Sequence, residues 1–155
     1  MLIRKGEKRD IGSLLDLIKE LAEYEKAPNE VVVTANELME DCFGDKPVFD
    51  FYVAEYDEKI IGIALYYIKY STWKGKCVFL EDIIVSEAYR QMGAGKKLFD
   101  AVVFVAKKLK VKRLEWQVLD WNKPAIGFYK KLNANFDDEW INCKLTQEQI
   151  ESYFD

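Results

Sequence analysis

Arg90 is followed three and five residues later by glycines, in the run Arg90-Gln91-Met92-Gly93-Ala94-Gly95. An apolar run ends just before it at Val85, and a long amphipathic segment covers residues 97–109. The order is strand, glycine-containing turn, helix. Glycines at a helix start let the backbone turn sharply and aim several N–H groups one way. Unpaired donors with the helix dipole behind them attract an anion such as a pyrophosphate. An ordinary strand-to-helix loop could carry the same glycines, so both readings stay open at this point. Two common phosphate loops are excluded. Lys96-Lys97-Leu98 supplies no third glycine for a G-x-G-x-x-G turn, and the G-x-x-x-x-G-K-[ST] spacing is absent.

Acid–base chemistry cannot use histidine, because the chain has none. His triads and His metal sites are thereby excluded. Glu, Asp, Tyr, Cys, Lys or water must move any proton. Glu81 and Asp82 interrupt the otherwise apolar residues 77–85. Strand alternation sends one of the two toward the packed side or a cleft, where a carboxylate has a partner or a task. The alternative is a bulge or a strand edge that exposes both. Glu25, with Tyr24 beside it, ends the apolar stripe of the first helix and is aimed either at a cleft or at solvent. Cys42, Cys77 and Cys143 are odd in number and widely spaced; they read as reduced thiols, and no metal is expected.

These residues need a scaffold, and the patterning supplies one. A short strand at 2–4 precedes a helix capped by Asp10, with Ile11, Leu14, Leu15, Ile18, Leu21 and Ala22 inward. Thr34 and Glu37 fit a capping box that opens a short helix ending near Cys42. Residues 49–55 and 60–70 read as a hairpin turning at Asp57-Glu58-Lys59, and 77–85 adds a third strand. The helix after the glycine turn points Leu98, Phe99, Val102, Val103, Ala106 and Leu109 inward. A strand at 113–119 leads through Pro124 to a helix at 125–132, with Asn133 as its left-handed cap. A strand at 136–144 and a short helix capped at Thr146 complete the order β-α-α-β-β-β-α-β-α-β-α. An antiparallel front half followed by a β-α-β unit implies an α/β (α+β) fold, with a mixed, mostly antiparallel sheet flanked by helices.

At 155 residues the chain is expected to form one domain, residues 1–155, with a real core. Half of it is apolar and 32% charged, as in soluble proteins. No apolar run approaches the ~20 residues of a membrane span, and the first ten residues lack a signal-peptide stretch. A cytoplasmic protein without a membrane partner is expected. The net charge of −4 argues against nucleic acid as a partner and is compatible with a cationic substrate.

The stretches Tyr70-Ser71-Thr72-Trp73-Lys74-Gly75, Leu80-Glu81-Asp82, Arg90 through Gly95, Val118-Leu119-Asp120-Trp121-Asn122 and Phe128-Tyr129 carry a resemblance. Together with the element order they resemble the GNAT family of N-acetyltransferases, whose pyrophosphate loop reads R-x-x-G-x-G. The resemblance covers nearly the whole chain and is to the thialysine and diamine (spermidine/spermine) acetyltransferase branch. Diamine members typically carry an acid where Ser71 stands, which favours the thialysine side. The resemblance implies the GNAT fold with a splayed cofactor cleft and acetyl-CoA as co-substrate. It implies direct transfer, in a ternary complex, to a primary amine of a small molecule, thialysine-like or another lysine analogue. A polyamine is the alternative substrate, and a non-catalytic CoA-binding sensor or interaction module is the alternative of another class. A homodimer is implied as well.

Site residues follow from the same resemblance. Arg90, Gln91, Met92, Gly93, Ala94, Gly95 and Lys96 match the loop that holds the pyrophosphate. Ile83 and Val85 match the strand whose backbone pairs with the pantetheine arm, and Asn122 matches the far wall of the cofactor cleft. Tyr129 matches the tyrosine that protonates the departing thiolate, and Glu81 the general base, acting through water. Tyr24, Glu25, Ser71, Trp73 and Glu81 match positions that meet the amine. Two positions depart from the pattern. Lys96 stands where a small residue is common, and its charge is expected to help bind phosphate. Asn133 replaces a glycine, in a left-handed position that Asn tolerates.

Overall fold

Five strands hydrogen-bond in chain order in the computed structural model, which describes residues 1–154. They are β1 (Leu2–Lys5), β2 (Asp50–Tyr56), β3 (Lys59–Ser71), β4 (Gly75–Val85) and β5 (Leu114–Glu115). The first four pair antiparallel, and β5 joins β4 in parallel. The sheet is therefore mixed and mostly antiparallel, as the pattern predicts. Asp57 and Glu58 form the β2–β3 turn with φ of 47° and 62°. Positive φ at both central residues gives the mirror-image turn whose twist suits a tight hairpin. At the next turn Gly75 takes φ 78°, and the Ser71 hydroxyl accepts the N–H groups of Trp73 and Lys74 at 3.3 and 3.2 Å.

Helices α1 (Ile11–Tyr24) and α2 (Ala35–Phe43) cover one face of this sheet. Leu14 and Leu17 of α1 and Leu38 and Cys42 of α2 share a core with Val53, Ile63, Leu65 and Ile84. The expected box at the start of α2 is present: Glu37 N–H donates to the Thr34 hydroxyl, and Thr34 N–H to the Glu37 carboxylate. Asp10 is not the expected side-chain cap of α1. Its buried carboxylate accepts both Arg4 Nη atoms at 2.7 and 2.9 Å and Glu7 N–H at 2.8 Å. A guanidinium within contact outcompetes a helix N–H for a buried carboxylate, and Arg4 holds Asp10 below the usual carboxylate range.

Helix α3 (Ala94–Lys108) covers the other face. Leu98, Phe99, Val102 and Ala106 are buried as expected, whereas Val103 and Leu109 face solvent. The inward stripe is thus narrower than the apolar pattern suggests. Gly62 lets this layer approach: a Cβ there would lie 2.7 Å from the Ile84 carbonyl and 3.2 Å from Leu98 Cδ1.

From Val118 onward the chain forms a second compact unit, with α4 (Lys123–Lys131) and α5 (Gln147–Glu151). Asn133 adopts φ 56° after α4, the left-handed conformation expected of it. Thr146 and Gln149 form the expected capping box of α5. The expected strand at 136–144 is absent, and the one expected at 113–119 is reduced to Leu114–Glu115. Three consecutive acids, Asp137-Asp138-Glu139, break the alternation of the first segment. Its Trp140 and Ile141 are 73% and 87% exposed, so it has no buried face to hold a strand in register. Among the described residues no helix is long and apolar enough to cross a membrane.

Candidate active site

Strand β4 carries an extra residue in its middle. Leu80 lies opposite Tyr66 and Asp82 opposite Leu65, so Glu81 has no partner on β3. This is a β-bulge, and it has two consequences. The first concerns side chains. Phe79 faces Tyr67 across the ladder, and Glu81, two residues on, points to the same face. Asp82 also points there, because its partner Leu65 belongs to the core beneath α1 and α2. Both carboxylates therefore share one face, where plain alternation would separate them.

The second consequence concerns the backbone. Val78 donates its N–H away from β3, to the Arg113 carbonyl at 3.1 Å, while Ser86 donates toward β3, to the Ile61 carbonyl at 2.9 Å. These residues are an even number of positions apart, so an unbroken strand would point both the same way. The bulge reverses the phase between them. Ile83 and Val85 consequently turn their N–H and C=O groups to the outer edge. Pairing of β4 with β5 ends at Phe79 and Glu115, so beyond it that edge has no ladder partner among the described residues. The Val85 carbonyl accepts Arg90 Nε at 3.1 Å on that side.

The carboxylates affect one another. Burial, then Glu81, then Glu25 raise the Asp82 carboxyl from its ordinary 3.8 to about 6. Glu25 caps the C-terminus of α1, and burial raises its carboxyl as well. Tyr67 Oη donates to Glu81 Oε2 at 3.0 Å. Tyr24 lies under the Arg90 guanidinium, 5.0 Å from its ring centroid. The Glu20 carboxylate accepts Glu87 N–H at 2.9 Å, tying α1 to the loop that leads to Arg90.

That loop enters α3 through two left-handed residues, Gln91 at φ 65° and Gly93 at φ 81°. The first helical bond observed runs from Lys97 N–H to the Gly93 carbonyl, so Ala94, Gly95 and Lys96 have no acceptor within the helix. Met92 is exposed and Ala94 buried. Gly95 is the informative position. It needs no special φ, and the nearest atom to an added Cβ would be Val85 Cγ2 at 3.8 Å. The fold leaves room for a side chain there, and glycine lowers helix propensity by about 1 kcal/mol relative to alanine. The space and the unpaired donors fit a phosphate at the backbone. The Lys96 ammonium instead bonds both Asp100 oxygens, at 2.6 and 2.7 Å, one turn down the helix.

Ser71 and Trp73 sit at the β3–β4 tip, with Trp73 80% exposed. Ser71 pairs with Gly75, six residues before Glu81, roughly 20 Å along a strand. A single chain thus does not gather them with Glu81 and Glu25. In the second unit, Asn122 Oδ1 accepts Ala125 N–H at 3.2 Å and caps α4, the helix that carries the buried Tyr129. Asp82 and Tyr67 were not singled out as site residues from the sequence. The one available signal for Asp82 was an acid pair inside an apolar strand; Tyr67 had none, because its bond to Glu81 depends on register. No group of three or more Cys, Asp or Glu side chains among the described residues is arranged to hold a metal.

Comparison with known proteins identifies the family. The acetyltransferase (GNAT) family model matches residues 14–134. A thialysine N-epsilon-acetyltransferase of Bos taurus is 41% identical over 142 residues, covering 86% of this chain and 84% of that protein. Its Mus musculus counterpart is 39% identical over 159 residues, covering 96% and 94%. The crystal structure of an aminoglycoside acetyltransferase from an uncultured soil metagenomic sample superposes with a TM-score of 0.76 at 17% identity, covering 94% and 95%.

Proposed function

The chain belongs to the acetyltransferase (GNAT) family and is an enzyme that transfers acetyl groups, and we propose that it acetylates a primary amine of a small molecule, thialysine-like or another lysine analogue, from acetyl-CoA. One observation carries the substrate reading: Glu81 and Asp82 share a face at the bulge, with Glu25 near enough to raise Asp82. An alkylammonium, with an ordinary pKa of ~10.4, is attracted to such a group and must lose a proton before it can attack. Glu81 takes that proton through a water. Asp82 and Glu25 hold the cation, with Tyr24 beside them.

Acetyl-CoA, when bound, supplies the activated acyl group. The backbone from Gln91 to Lys96 would hold its pyrophosphate, with Arg90 bracing the loop against Val85. Ile83 and Val85 would offer their outward backbone groups to the pantetheine arm, and Asn122, by the family resemblance, would line the cofactor cleft. Tyr129, by the family resemblance, would supply the hydroxyl proton that the departing thiolate needs. This reading uses residues 1–155 as one catalytic domain. It also carries a cytoplasmic homodimer, in which Ser71 and Trp73 serve the partner's cleft. A monomer mass in sedimentation at micromolar concentration contradicts the dimer.

A polyamine is the second reading, because three clustered acids also suit a polycation. Ser71 counts against it, since its hydroxyl is engaged by two backbone N–H groups and adds no charge. The test is acetyl-CoA turnover on thialysine, lysine, ornithine and spermidine, with the parent and Tyr129→Phe. Thialysine is expected to give the highest kcat/KM, and Tyr129→Phe to lose roughly 100-fold in kcat. If no amine is acetylated while CoA still binds, the chain is a binding module.

A further inference from the structure

We propose that Tyr67 is a positioning residue for Glu81, fixing one carboxylate oxygen so that the other faces the amine. The inference rests on Glu81 acting as the base. At the bulge Glu81 has no cross-strand partner, and its side chain is exposed. An exposed glutamate with three rotatable bonds does not hold one geometry by itself. Tyr67 supplies the fixed point, donating its hydroxyl to Oε2 at 3.0 Å.

The tyrosine is held in turn. Its ring lies against Phe79, with centroids 5.3 Å apart and planes at 30°. Lys69 sits 5.2 Å from the Phe79 centroid and pairs with Glu115 at 3.4 Å. The ring contact and the cation above Phe79 fix the plane from which the hydroxyl reaches out. Burial, followed by the Glu81 hydrogen bond and charge, pushes the Tyr67 phenol up to about 12. It therefore stays protonated at working pH and acts as a donor, not as a second base. Asp82, beside Glu81 on β4, feels both Glu81 and Glu25 of α1.

Tyr67→Phe removes the hydroxyl and keeps the ring. In the parent it is expected to lower kcat about tenfold, the size of a hydrogen bond to a charged group. The KM for acetyl-CoA should stay within about twofold. In a Glu81→Gln background the same change should lower kcat no further, because the oriented carboxylate is already gone. A purely structural tyrosine would cost the same in both backgrounds, and that result overturns the proposal. So does an unchanged kcat for Tyr67→Phe. If Glu81→Gln alone leaves kcat intact, the base assignment fails instead. Melting temperatures of all three variants identify a folding defect, and a kcat loss that tracks the melting temperature counts against positioning.

Discussion

Replacing Asp82 with asparagine should stabilise the protein at neutral and alkaline pH and leave it unchanged in acid. Burial is the largest cause of the raised Asp82 carboxyl, followed by Glu81 and Glu25; together they move it from 3.8 to about 6. Below 3.8 the folded and unfolded states both carry the proton, so the site adds no penalty. Between 3.8 and 6 the unfolded chain releases a proton that the folded chain retains, and stability falls as pH rises. Above 6 both states are ionised, and the penalty levels off at about 3 kcal/mol. Asparagine keeps the shape and removes the charge. Urea unfolding at pH 8 should therefore show a gain of about 2–3 kcal/mol, or roughly 5–10 °C in Tm. Near pH 3.5 the variant and parent should agree. Activity should move the opposite way, with kcat/KM for the amine falling at least about tenfold as a cation-holding charge is lost. Equal gains at both pH values, or destabilisation at pH 8, would refute the account of Asp82 as a half-buried and repelled carboxylate.

Two glycines allow contrasting tests. Gly95→Ala should raise stability by about 0.5–1 kcal/mol, because the fold leaves space for the Cβ. It should weaken CoA binding about tenfold or more in titration calorimetry, and undiminished binding would remove the backbone phosphate site at α3. Gly62→Ala should cost about 1–3 kcal/mol, because its Cβ meets the Ile84 carbonyl, Leu98 and Val85 in a packed layer. An unchanged melting temperature would show that this layer yields more easily than its spacing suggests.

What the sequence made legible, and what it did not, follows from how local each signal is. The box at Thr34 and Glu37 and the left-handed Asn133 are short-range devices, and both appear where the residue types predict them. The β2–β3–β4 meander was legible because alternation and turn residues agree along it. Leu17 was missed in α1 because the stripe was drawn through Leu15 and Ile18, although Leu17 is the more deeply buried. The segment 136–144 misled because its aromatic and branched residues suit a strand while its acid run denies it a buried face. Asp10 misled for a different reason. Its partner Arg4 lies on β1, and the strength of that pairing depends on burial that a sequence does not display.

The bulge at Glu81 belongs to a further class, because it exists only in the relation between β3 and β4. Two consecutive acids inside an apolar strand admit either one residue in and one out, or an extra residue that turns both the same way. Only the register, with Tyr66 against Leu80 and Leu65 against Asp82, decides between them. On the proposed reading, that one inserted residue couples two requirements of acyl transfer. It brings the acids to the face where α1 ends at Glu25, and it turns the backbone of Ile83 and Val85 to the free edge. Removing it would lose both together, since restoring plain alternation moves the acids apart and turns Ile83 and Val85 back toward β3. The outward backbone of Ile83 and Val85 and the shared face of the two acids are thus set by the same register choice, so a shift of register on this strand displaces both.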